Sequence, residues 1–136
     1  MSKTDQVNDE VKLISHRIIA RMLKHDPSLL DRAKQTLERL HDKYGEIDFV
    51  VAWRDVLYSK SIDEIRNKLS SRDEHWYWLR ISSPFNYMAI HPLSDEKFRR
   101  RRWKAGKRLV EDRIQRLEGG KLWENQMSDH SPTLTV

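Results

Sequence analysis

Chemistry, if this chain does any, starts with charge. Between Lys97 and Arg108, eight of twelve residues are basic: Lys97, Arg99, Arg100, Arg101, Arg102, Lys104, Lys107 and Arg108. No acid stands among them, and against a formal balance of +5 this leaves the remainder of the chain at −3. Arginine outnumbers lysine five to three in the cluster, which suits bidentate contacts to phosphate or carboxylate. Two readings fit. One is a solvated helix whose long side chains cover the core while their charged heads stay wet. The other is a phosphate-binding surface made of Arg99, Arg100, Arg101, Arg102, Lys104, Lys107 and Arg108. No helix-turn-helix signature precedes the cluster, so sequence-specific reading of a duplex has no support.

A second cluster is aromatic. Trp76, Tyr77 and Trp78 are adjacent, and at about 100° per residue they span roughly 200° of a helix surface. They cannot all face one core, so at least one is expected at the surface or at an interface, where Trp and Arg serve as anchors. Arg80 and Phe85 follow closely. The alternative is that all three rings close over the loop that comes next.

Catalytic patterns are missing. There is no Gly-rich phosphate loop, no His-Glu metal pair at helical spacing and no nucleophile elbow. The six histidines are scattered, and His16 reads as a boundary position beside a buried stripe rather than as a metal ligand. Asp73-Glu74 and Asp95-Glu96 sit at expected helix starts, where capping explains them. These absences point to a binding protein that is not an enzyme, with no metal and no cofactor.

The elements that must carry these clusters are helices. Val7, Val11, Ile14, Ile18 and Met22 recur at helical spacing and define a first helix. Asp26-Pro27 opens a second, in which Leu30, Ala33, Leu37, Leu40 and Tyr44 form the stripe and Gly45 the C-terminal cap. The short link predicts that these two pair as an antiparallel hairpin. A third helix covers Ile47 to Tyr58, with Val50, Trp53 and Leu57 on one face. Ser61-Ile-Asp-Glu64 is a capping box that opens a short helix, and another short helix carries His75 to Arg80. Ser82-Ser83-Pro84 breaks it, and Asn86 to Leu93 reads as a loop with an apolar underside. Ser94 is expected to cap a last long helix, with Trp103, Gly106, Val110, Ile114 and Leu117 as its seam, stopping at Gly119-Gly120. The expectation is all-α: a compact bundle of about five to six helices over 1–120, with a flexible or extended tail over 121–136.

The totals agree with one domain. The chain has 136 residues, enough for a modest core. It has no cysteine, which suits a reducing cytosol. No apolar run approaches the roughly 18 to 20 residues that cross a bilayer, and the first residues show no signal-peptide pattern. A cytoplasmic protein that does not meet the membrane is expected; its oligomeric state stays open.

Two stretches carry a resemblance. Leu79-Arg-Ile-Ser-Ser-Pro-Phe85, set after a helical N-terminal half, resembles small bacterial proteins that accompany toxin genes, over about Ile14 to Gly106. The last six residues, Ser131-Pro-Thr-Leu-Thr-Val136, resemble the first strand of zeta-type toxin kinases, which leads into a Gly-rich P-loop; no such loop follows here. The resemblance implies an antitoxin, or the inhibitory N-terminal part of a fused toxin. It would be an all-helical inhibitor that covers the nucleotide site of a kinase acting on a UDP-sugar. The first helix, with Arg17, Arg21 and Lys24 opposite its apolar stripe, is the candidate to block that site, and Trp76, Trp78, Arg80 and Phe85 are the candidate partner contacts. The runner-up is a nucleic-acid-binding autoregulator that uses the basic helix 95–118.

Overall fold

The computed structural model describes the backbone of residues 2–134 and the side chains of residues 2–120. Six α-helices and one 3-10 turn follow in order: α1 (Lys3–His25), α2 (Ser28–Tyr44), α3 (Asp48–Ser59), α4 (Ile62–Leu69), α5 (Glu74–Ile81), the turn Pro84–Tyr87, and α6 (Glu96–Leu134). No strand occurs among the described residues, so the all-α expectation holds. No described helix is long and apolar enough to cross a membrane.

Local signals set most helix ends. Ser2 caps α1 by accepting from the Asp5 amide. The capping box of Ser61 and Glu64 is formed in both directions. Asp26 accepts from the Ser28 amide at 3.2 Å. Gly45, at φ 77°, ends α2 in the left-handed region that a side chain disfavours. At the last helix the cap moves by one residue: the Lys97 amide donates to Asp95 rather than to Ser94.

The central helix is α1. It packs along α6 and α4 and also meets α5 and α2. The expected α1–α2 hairpin is therefore not the main pairing, because α2 lies chiefly against α3 and the 3-10 turn. Contact on several sides also rotates the buried face of α1. Leu13, Ile19, Ala20 and Leu23 are buried with Glu10 and His16, while Val11, Ile14, Ile18 and Met22 are only partly covered. Of the expected stripe only Val7 lies on this face, because two of the face's positions are polar. In the main core, Trp53 is fully buried and donates its indole N–H to the Leu79 carbonyl at 2.9 Å. Phe85 and Trp76 stack edge-on against its ring. Of the loop expected over Asn86 to Leu93, Ile90 and Leu93 are buried.

The α1 and α6 helices run antiparallel, since Ser15 meets Arg102 and Lys3 meets Glu111. Gly106 sits at a close approach of the two helices: a Cβ there would lie 2.9 Å from Val11 Cγ2 and 3.4 Å from the Val7 carbonyl. Of the expected α6 seam, Gly106 and Val110 are buried, but Trp103 and Leu117 are exposed. The expected stop at Gly119-Gly120 is not made. Neither glycine has positive φ, and α6 runs past them to Leu134. Glycine weakens a helix by about 1 kcal/mol without terminating it. The strand-like segment 131–136 is likewise helical as far as Leu134; Thr135 and Val136 lie outside the described residues.

These two settings predict opposite effects of the same substitution. At Gly119 nothing lies within 4 Å of the place a Cβ would take, so Gly119→Ala should raise stability by up to about 1 kcal/mol through helix propensity. Gly106→Ala gains the same propensity but overpacks the α1–α6 contact, at about 1–3 kcal/mol, and should lower stability in urea denaturation. Equal stabilisation by both substitutions would reject the close approach.

Candidate functional site

An open groove lies between α1 and α6. One wall is Asn8, Val11, Lys12 and Ser15; the other is Glu96, Arg99, Arg100 and Trp103, with Asn86 and Arg102 completing the lining. Each helix contributes positions i, i+3, i+4 and i+7, a single face of an α-helix. The groove holds about 630 Å³. It adjoins a cleft of about 400 Å³ that shares Ser15, Asn86, Arg99 and Arg102 and has Ile19, Phe85, Ile90 and Leu93 among its lining. Glu96 is the one acid in either lining, and Arg100 pairs with it at 2.8 Å.

Geometry divides the basic cluster. Arg102 is half-buried and bonded to the Ser15 hydroxyl and, at 2.6 Å, to the Leu93 carbonyl. Burial lowers its pKa, and the charge of Arg99 adds to that. Arg102 is therefore a fixed part of the groove, a correction to its expected place on an open phosphate surface. Arg99 and Arg100 face the groove. Lys97, Arg101, Lys104 and Arg108, at i, i+4, i+7 and i+11, make an exposed outward stripe. No ion pair is formed by any of these four among the described residues. Lys107 lies 3.9 Å from Glu111.

The expected partner contacts fare differently. Trp76, Arg80 and Phe85 are buried, so they hold the fold together instead of offering a surface. Arg80 donates to the Ser71 carbonyl at 2.6 Å and pairs with Asp9 at 3.6 Å. Burial pushes the Asp9 carboxyl up despite that arginine, and lowers Arg80 despite that aspartate. Arg17 is half-buried and donates to the Ser70 carbonyl at the end of α4. Only Arg21, Lys24 and Trp78 remain exposed. Trp78, at 44% exposure, is the ring of the aromatic trio that reaches the surface.

Three residues that sequence reasoning missed form the strongest polar link. Glu10 is buried and accepts from Arg72 at 2.6 and 3.3 Å and from Arg113 at 2.6 Å. Burial alone would raise its pKa; the hydrogen bonds and charges of the two arginines outweigh that and hold it below the usual range. His16, expected at a boundary, is fully buried instead. Its Nδ1 donates to the Lys12 carbonyl at 2.7 Å, which leaves Nε2 to accept from the Ser83 hydroxyl at 2.8 Å. The Ser83 oxygen also accepts from the Phe85 amide. With both residues at zero exposure, this pair is a latch between α1 and the 3-10 turn, closed to any substrate. No group of three or more His, Asp or Glu among the described residues could hold a metal ion.

Comparison with family models, with curated proteins and with solved structures finds no match.

The latch has a pH signature. Burial, reinforced by the charges of Arg80 and Lys12, lowers the His16 pKa from 6.5 to about 4. Between these values the unfolded chain binds a proton that the folded chain refuses, so stability falls as pH drops from 6.5 to 4 and this contribution is flat above 6.5. The loss amounts to about 3 kcal/mol. An NMR titration should find His16 neutral down to about pH 4; a midpoint near 6.5 would contradict its burial.

Proposed function

We propose that this protein is a binding protein whose cationic α6 docks an acidic polymer, with nucleic acid as the partner class. The observation that carries this reading is that most of the basic cluster lies free on the surface after the fold has taken its share. Arg102 is occupied inside the domain, whereas Arg99, Lys97, Arg101, Lys104 and Arg108 are exposed and not ion-paired among the described residues. Cations that only cover a core also keep their heads wet, so the weight falls on their number and their placement together. Five of them project from a single helix, and none is paired with an acid among the described residues. Such a surface attracts phosphate and releases counterions on binding. The function would be that of a regulator or packaging factor, with no chemical step.

Fluorescence anisotropy with labelled oligonucleotides tests this. Affinity should fall by orders of magnitude between about 50 and 200 mM salt. Replacing Arg99, Arg101 and Arg108 with Ala should weaken binding and flatten the salt dependence by roughly one unit of slope for each phosphate no longer neutralised. Absent or salt-insensitive binding would sink the reading.

A second reading has one observation of its own. Trp78 and Ile81, at i and i+3 on α5, are both about half exposed and make an apolar edge of the kind a protein partner covers. It is the place for the antitoxin reading, in which the domain would cover the nucleotide site of a zeta-type kinase. Arg21 and Lys24, also exposed, would remain as its charged contacts. Gel filtration of the protein mixed with such a kinase should show one peak of the summed mass, abolished in Trp78→Ala. Two separate peaks at micromolar concentration would reject it.

A further inference from the structure

We propose that the groove between α1 and α6 takes a single-stranded segment of nucleic acid, with one base stacked on Trp103 and the flanking phosphates on Arg99 and Lys12. This rests on the nucleic-acid reading above and adds to it the form of the ligand.

The two cationic faces of α6 differ in what surrounds them. The outward stripe, Lys97, Arg101, Lys104 and Arg108, is exposed and has no aromatic side chain within it. It suits the convex, evenly charged outside of any duplex. The inner face is concave. It sets Trp103, at 41% exposure, one helical turn from Arg99 and Arg100 and across from Lys12. An aromatic ring between cations is what unstacked bases require: every base has a flat face to stack, and the backbone on either side needs charge. A paired base has that face already covered by its neighbours.

The groove is also built to stay open. Arg102 is tied to Ser15 and to the Leu93 carbonyl, so the wall between groove and cleft holds its place, and its Nε is buried without a partner. Gly106 brings α1 and α6 together one turn beyond Trp103 and closes that end. At the other end Asn86 donates its amide N–H to the Arg80 carbonyl at 2.8 Å. Its side-chain oxygen is left to accept from an N–H on the edge of a base. The adjoining cleft, with Ile90 and Leu93 in its lining, offers room for a second ring. Charge complementarity selects the occupant: in the linings of both cavities, the one carboxylate is already paired with Arg100.

The test compares a labelled oligothymidine of about twelve nucleotides with a duplex of equal length, at about 50 mM salt, using the full chain. The single strand should bind more tightly than the duplex. Trp103→Ala should weaken single-strand binding by about tenfold or more, Trp103→Phe should restore most of it, and duplex binding should be unchanged by either. Because Trp103 is partly exposed, circular dichroism should show both variants folded. Tighter binding of the duplex, with losses confined to Arg101→Ala and Arg108→Ala, would overturn the groove proposal while keeping nucleic acid as the partner. Failure of both oligonucleotides to bind would overturn the proposal together with the reading it rests on.

Discussion

A buried carboxylate sets the register of this fold. Glu10 lies inside the domain, on the helix that nearly every other element touches, and two arginines from distant parts of the chain meet it there. Arg72 comes from the link between α4 and α5, and Arg113 comes from α6. Taking a carboxylate out of water is costly unless its oxygens are filled, so α1 is acceptable only where both arginines reach it. Once they do, α6 can neither slide nor rotate freely along α1. Gly106 then faces Val11, and Arg102 faces Ser15. The groove follows from that register, since Lys12 and Ser15 stand opposite Arg99 and Arg102 only when Glu10 is in place.

Similar polar latches repeat around α1. His16 holds Ser83 at the 3-10 turn, Arg80 holds Asp9 and the Ser71 carbonyl, and Arg66 donates to the Ala20 carbonyl at 2.6 Å. Each joins α1 to an element that apolar packing alone would leave free to shift. Burial penalises both Asp9 and Arg80, so these contacts favour one arrangement over its competitors more than they add net stability. The consequence for function is a division of labour among arginines. Those that the interior needs are fixed and silent, and those left over give the surface its charge.

That division explains how much of the candidate site was legible. The basic run of α6 is visible as residue types, and its solvent-facing members are where the sequence suggests. Its split into an outward stripe and a groove wall is not visible there, because the second wall is made by α1. Asn8, Lys12 and Ser15 do repeat at helical spacing beside Val11 of the apolar stripe, but polar positions on a helix read as solvated until another charged helix is seen beside them. Trp103 reads as part of the α6 seam because a large apolar residue at seam spacing is usually core. In the structure it borders the groove instead. Trp76, Arg80 and Phe85 mislead in the opposite sense: adjacency and residue type suggest an interface, whereas Trp76 and Phe85 pack against the ring of Trp53 and Arg80 is tied inside the domain.

The sequence by itself determined the helices. Caps such as Ser61 with Glu64, the Gly45 terminator and the spacing of Val50, Trp53 and Leu57 act within a few residues of one another, so local chemistry suffices to read them. The tertiary structure alone decided which charges are buried and which meet water. The Glu10 bonds span 62 and 103 residues, and the Ser15–Arg102 and His16–Ser83 contacts span 87 and 67. Periodicity carries no information about a partner so far away. A charge is as stable in a core as its partners make it, and those partners are brought by the fold.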